Sequence, residues 1–220
     1  MSYLFNLLNK VDHTCLKQTA CWKDIKLLCD EGIKFKVATV CIPPTYVKQA
    51  KEYVENKVKI CTVVGFPNGY NTSNTKVKEA EELVKLGADE IDMVINIGWL
   101  KDEKYNKIFN EIKNIKSVIE GKILKVIIET CLLDYKEKVK MCEIITKSGA
   151  DFVKTSTGFS NGGATVDDIV LLKEHIGDNI KIKAAGGISS LKDAQKFLDL
   201  GVARLGSSKI VSLVNEVINK

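Results

Sequence analysis

Eight short apolar stretches, each separated from the next by a charged segment, restrict the fold of this chain more than any other feature. They lie near residues 10–14 (KVDHT), 34–40 (KFKVATV), 59–65 (KICTVVG), 90–96 (EIDMVIN), 124–130 (LKVIIET), 151–156 (DFVKTS), 180–186 (IKIKAAG) and 202–208 (VARLGSS). Each is short and apolar, the pattern of a strand buried on both faces. The intervening pieces, such as 72–86 and 134–148, repeat apolar residues three and four apart, as one face of a helix does. A phrase recurs at three of the joins: LGADEIDM (86–93), SGADFVKT (148–155) and LGVARLGS (200–207). Its glycine accepts the left-handed conformation that ends a helix, so the next strand can begin within two or three residues.

Strict alternation of β and α predicts a parallel sheet covered by helices. Eight such units in 220 residues fit a (β/α)8 TIM barrel. An open doubly wound sheet is the alternative, and the first strand is not followed by the G-x-G-x-x-G turn of a dinucleotide site. No Pro/Gly/Ser-rich linker interrupts the pattern, so residues 1–220 are expected to form one domain.

Composition narrows the class. The net charge of +5 comes from lysines interleaved with acids, and Arg204 is the only arginine. Such interleaving describes solvated helix faces, not a nucleic-acid stripe. Seven cysteines with no C-x-x-C pair form neither a disulfide framework nor a zinc set, which points to a reducing cytoplasm. No apolar stretch is long enough to cross a membrane, and the N-terminal residues lack a basic segment and a cleavage site. Neither histidine has a second histidine at ligand spacing, so no metal and no cofactor is expected. A homodimer is the expectation for a barrel of this kind.

Chemistry in a barrel belongs at the C-terminal ends of the strands. There the sixth run ends in Lys154 and the seventh carries Lys183, on neighbouring strands. Two inward lysines repel as cations, and burial disfavours the charged form, so their pKa values are expected to fall. A partly neutral lysine attacks carbonyls and forms Schiff bases. Asp92, on the fourth run, is the candidate for proton transfer. Which lysine is the nucleophile stays open at this level. Glycine- and hydroxyl-rich turns follow the last three runs and carry Thr157, Gly158, Gly186, Gly187, Gly206, Ser207 and Ser208. Their backbone N–H groups suit a phosphate. The expected substrate has a carbonyl at one end and a phosphate at the other. A non-catalytic sugar-phosphate-binding barrel and a transaldolase-like transferase are the competing readings.

The motifs DHT.L (12–16), VCIPP (40–44), VVGFPNG (63–69), EIDMVINIG (90–98), KVIIET (125–130), KTSTGF (154–159) and KAAGGI (183–188) resemble those of the deoxyribose-phosphate aldolases. The resemblance runs in order from about residue 7 to 212. It implies a metal-free Schiff-base aldolase that cleaves 2-deoxy-D-ribose 5-phosphate to glyceraldehyde 3-phosphate and acetaldehyde, in deoxynucleoside catabolism. It implies that Lys154 is the nucleophile, Lys183 its pKa-lowering partner and Asp92 the proton-transfer acid. It also brings Asp12, Thr14, Cys41 and Lys125 toward the substrate. His13 is expected to serve a structural hydrogen bond rather than the chemistry, and His175 to lie at the surface. Two departures stand out. Lys209 occupies the place of the second serine of the family's pair on the eighth run, and the last residues, Ile218-Asn219-Lys220, lack the tyrosine found in some relatives.

Overall fold

The computed structural model describes residues 2–219. Eight parallel strands close into a barrel in sequence order: β1 (Val11–Thr14), β2 (Thr39–Ile42), β3 (Ile60–Val64), β4 (Glu90–Val94), β5 (Ile123–Ile127), β6 (Phe152–Lys154), β7 (Lys181–Ala185) and β8 (Arg204–Ser207). Around them run α1 (Ser2–Leu8), α2 (Trp22–Phe35), α3 (Val47–Val54), α4 (Ser73–Lys85), α5 (Ile97–Lys101), α6 (Tyr105–Val118), α7 (Tyr135–Ser148), α8 (Val166–His175), α9 (Leu191–Asp199) and α10 (Ile210–Ile218). The barrel, not the open sheet, is therefore the fold.

The second strand differs from its expected place. Residues 34–38 finish α2 and turn, and β2 starts at Thr39. Lys36 takes the left-handed conformation that ends α2, so the helix continues through the apolar Ile33 and Phe35 before the chain reverses. An apolar run reads alike as strand or helix end at that length.

The recurrent glycine phrase works as its chemistry requires. Gly149 closes α7 with φ 84°, and β6 begins three residues later, at Phe152. Gly87 and Gly201 make the same turn after α4 and α9. Helix starts are equally local. Thr72, Asp134, Thr165 and Ser190 cap α4, α7, α8 and α9 with a side-chain oxygen that accepts a backbone N–H three residues on.

The apolar core lies between barrel and helices. Outward strand residues such as Val40, Ile91, Met93, Val126, Val153, Ile182 and Leu205 are buried there against helix residues such as Leu28, Ile112, Ile145 and Val211. The barrel interior is different, because the alternate, inward positions include Asp12, Glu90, Asp92, Lys125, Lys154 and Lys183, all buried. That division of faces places the functional site.

Candidate active site

On β4 the alternation Glu90, Ile91, Asp92 sends two carboxylates into the barrel and the isoleucine into the core. On β5, Lys125 stands beside Asp92 in the ladder; on β6 and β7, Lys154 stands beside Lys183. Asp12 of β1 and Arg204 of β8 complete the ring. Asp92 is the hub. Its Oδ2 accepts hydrogen bonds from Lys154 Nζ at 2.8 Å and Lys183 Nζ at 2.7 Å, and its Oδ1 accepts one from Lys125 Nζ at 2.8 Å. Lys183 also donates to Asp12, Lys125 lies 2.6 Å from Glu90, and Arg204 donates to both Asp12 and Glu90. Thr39 donates a further hydrogen bond to Asp12 at 2.8 Å.

For Asp12, Asp92, Lys125, Lys183 and Arg204, burial works against the ion and the opposite charges overcome it. Desolvation pushes the Asp92 carboxyl up, but Lys125, Lys154 and Lys183 hold it well below the usual carboxylate range. Asp12 is likewise held below that range by Lys183, Lys125 and Arg204 against its burial. For Lys183, burial lowers the pKa but Asp12 and Asp92 raise it above the ordinary lysine value. The expected depression of both lysines is thus corrected for Lys183. Lys183 Nζ lies at hydrogen-bond distance from both Asp12 and Asp92, and their attraction outweighs repulsion from the neighbouring lysines. Lys183 is a fixed cation.

A cavity of about 710 Å³ opens above the ring at the C-terminal ends of the strands. Lys154 lines it, together with Thr14, Thr157, Gly158, Gly186, Gly187, Gly206, Ser207, Ser208 and Lys209. Asp92 and Lys183 lie just beneath, in hydrogen-bond contact with Lys154 or its partner. The structure does not bring Asp12, Cys41 and Lys125 to the cavity wall. Asp12 and Lys125 are completely buried in the ionic ring, because their strand positions lie below the mouth. Cys41 packs with Cys61 and Val63 in a small apolar cluster beside Leu16 and Phe66. A hydrogen bond from Cys61 lowers the Cys41 thiol against its burial, whereas burial holds Cys61 well above the usual thiol range.

Glycine at 206 is required by the ring as much as by the cavity. A side chain there would meet Lys183 Cε at 3.2 Å and Ala185 Cβ at 3.0 Å, crowding the path Lys183 takes to the two aspartates. The Thr157 hydroxyl is also engaged, donating to Glu129 at 2.5 Å and accepting the Phe159 N–H at 3.0 Å. Glu129, left-handed at φ 53° and buried, thereby ties the loop after β6 to the end of β5. Sequence reasoning passed over Glu129, Glu90 and Arg204 as site residues. For Glu90 a signal existed: it stands two residues before Asp92 on one strand, hence on the same face.

Two groups, Cys41–Cys61–Asp92 and Asp12–Cys61–Glu90, place three potential metal ligands within reach of one another among the described residues. Their carboxylates are already matched by Lys125, Lys154, Lys183 and Arg204. A divalent cation entering either group would meet three positive side chains, so the donor set fits ammonium groups better than a metal. What the arrangement offers is an amine at the floor of a cavity, a shared carboxylate beside it, and a rim of backbone amides and hydroxyls.

The family model described as DeoC/LacD family aldolase matches residues 7–213. The chain is 58% identical over 209 residues to the deoxyribose-phosphate aldolase of Clostridioides difficile (strain 630), covering 95% of each chain. It is 50% identical over 209 residues to the deoxyribose-phosphate aldolase of Streptococcus agalactiae serotype Ia, covering 95% of this chain and 94% of the other. The deoxyribose phosphate aldolase from Aeropyrum pernix, described by its unique tetrameric structure, superimposes with a TM-score of 0.91 at 27% identity, covering 99% of this chain and 93% of the other.

Proposed function

The chain belongs to the DeoC/LacD family of aldolases and is a carbon–carbon lyase, and we propose that it cleaves 2-deoxy-D-ribose 5-phosphate to glyceraldehyde 3-phosphate and acetaldehyde through an imine on Lys154. One observation carries this reading. Lys154 Nζ reaches the cavity floor 2.8 Å from the Asp92 oxygen that also accepts from Lys183. Lys183 stays a cation beneath the cavity, so Lys154 is the amine left to react. The ring holds four cations, Lys125, Lys154, Lys183 and Arg204, to three carboxylates, Asp12, Glu90 and Asp92. An imine forms from the lone pair of the unprotonated amine, and the carboxylate beside Lys154 is placed to exchange a proton with it.

The steps follow from that geometry. The open-chain aldehyde binds with its phosphate on the rim formed by the loops after β6, β7 and β8, where Ser208 and Lys209 stand at the start of α10. Lys154 adds to C1, and the carbinolamine loses water to give an iminium. As Lys154 turns to the substrate, Asp92 Oδ2 loses one of its two ammonium donors and becomes the more basic oxygen of the carboxylate. It takes the C3 hydroxyl proton, directly or along a water. The C2–C3 electron pair moves into the iminium, glyceraldehyde 3-phosphate departs, and an enamine remains. Protonation at C2 and hydrolysis release acetaldehyde and regenerate the amine. Lys183 and Lys125 favour the ionised form of Asp92, so it starts each turnover as a base and returns its proton before the next.

We place this activity in deoxynucleoside breakdown in the cytoplasm. Seven free cysteines and the absence, among the described residues, of any helix long and apolar enough to cross a membrane support the location. A homo-oligomer belongs to the same reading, supported by the relative described as tetrameric; light scattering tests it. The chemistry is tested by incubating the protein with acetaldehyde and borohydride and mapping the modified peptide. An ethyl group on Lys154 is expected. An adduct on Lys183 reverses the two roles, and no site-selective adduct ends the imine reading.

A further inference from the structure

Arg204 is the one arginine among 33 lysines and arginines in this chain, and it is not a surface charge. It opens β8 beside Lys183 of β7, with 13% of its side chain exposed. Glu90, which opens β4, is buried. The two side chains meet at the N-terminal end of the barrel, and neither lines the cavity at the opposite end. The cleavage steps assign no task to either.

The contacts of Arg204 use two nitrogens. Its Nη1 donates to Asp12 Oδ1 at 2.5 Å and to Glu90 Oε2 at 3.0 Å, and its Nη2 donates to Glu90 Oε1 at 3.3 Å. Each carboxylate in turn holds a lysine. Asp12 accepts from Lys183 through its other oxygen, and Glu90 Oε2 lies 2.6 Å from Lys125 Nζ. Lys183 then reaches Asp92 Oδ2 at 2.7 Å, and Lys125 reaches Asp92 Oδ1 at 2.8 Å. Two chains of ion pairs thus start at one guanidinium and end on the two oxygens of one carboxylate. Together they fix its rotation, with Oδ2 placed 2.8 Å from Lys154. The starting point is itself held. The guanidinium Cζ stands 5.6 Å from the centre of the Phe152 ring. Burial lowers the Arg204 pKa, but Asp12 and Glu90 raise it above the ordinary arginine value.

We propose that Arg204 is a positioning residue for proton transfer at Asp92, acting through Asp12 and Lys183 on one side and through Glu90 and Lys125 on the other. This rests on the Lys154 imine reading above. Arg204 acts at two removes from the reacting atoms. It sets the angle of the carboxylate that takes the C3 hydroxyl proton, and the rate of that transfer depends steeply on alignment. A lysine at 204 keeps the positive charge but offers one nitrogen in place of a planar fork. It cannot hold Glu90 by both oxygens and Asp12 at once. One chain then slackens, and Asp92 turns away from the alignment that Lys154 and the substrate require.

Arg204→Lys is the test, because it preserves charge. Cleavage of 2-deoxyribose 5-phosphate is expected to lose about tenfold or more in kcat, with KM within about twofold of wild type. The solvent deuterium isotope effect on kcat should rise above the wild-type value, because the misaligned proton transfer becomes the slow step. Rates are normalised to the fraction of Lys154 that acetaldehyde and borohydride convert. A partly unfolded sample then lowers the number of sites and leaves kcat per site unchanged. A kcat per site equal to wild type, or a fall with an unchanged isotope effect, overturns the proposal. Glu90→Gln breaks one chain at its middle and carries the same test if Arg204→Lys does not fold. It should show the same split between kcat and KM, and a wild-type kcat per site there also overturns the proposal. Wild-type protein that traps no acetaldehyde overturns the imine reading and the positioning role with it. Wild-type trapping beside an unaffected Arg204→Lys rejects the role of Arg204 alone.

Discussion

Two regions meet at Lys154 and are built from opposite materials. Below it the barrel is filled with long charged side chains, Asp12, Glu90, Asp92, Lys125 and Lys183, all nearly or wholly buried and each bonded to at least one partner of opposite sign. Above it the rim is made of residues with little or no side chain, Gly158, Gly186, Gly187, Gly206 and Ser208, which remain partly or fully exposed. The lower region has enough partners to satisfy its charges without a ligand. The upper region presents backbone and hydroxyl groups that a substrate must satisfy. The contrast separates two jobs: the interior holds one amine against a buried carboxylate, and the rim chooses what reaches it.

The sharpest way to break this comparison is to remove the residue the regions share. Lys154→Ala is expected to reduce cleavage on the order of 10⁴-fold or more, with the fold retained by circular dichroism. Near-normal turnover would mean that the floor and rim serve another nucleophile. The next largest effect belongs to the interior. Lys125→Met leaves Glu90 and Asp92 short of a buried partner and should cost about 3–5 kcal/mol in urea unfolding. A neutral result would show that the remaining cations rearrange to cover both carboxylates.

Acid sharpens the same contrast. Asp12 and Asp92 have folded pKa values below their unfolded ones, so their stabilisation is present above about pH 4 and is lost as pH falls through the folded values. Lys183 and Lys125 have raised values, so theirs is present below about pH 10 and is lost above it. Between those limits these four groups add no slope to stability. Asp12→Asn should be less stable than wild type at pH 7 yet lose stability less steeply below pH 4; an unchanged acid slope would remove Asp12 from the linkage. The smallest effect is at the rim. Ser208→Ala should raise KM for the sugar phosphate about threefold and leave urea unfolding within about 0.5 kcal/mol of wild type. A large loss of stability there would erase the division between the regions.

What the sequence determined by itself was whatever depends on near neighbours along the chain. The alternation of apolar runs and amphipathic segments set the order of elements. The recurrent glycine set the turns before β4, β6 and β8, because a left-handed residue is needed at the same local position whatever the barrel does. Lys154, Lys183 and Asp92 were legible as inward, chemically exceptional residues on strands, and the structure places them in contact. What only the tertiary structure decided was the charge state of that contact. The expected fall in the Lys183 pKa became a rise because Asp12, far away in the chain, closes onto β7 when the barrel closes. The same closure put Lys125 and Asp12 inside the ring instead of on the cavity wall, and set His13 against Ser207. Electrostatic energy depends on distance in space and on exclusion of water, and neither is written in the separation of residues along a chain.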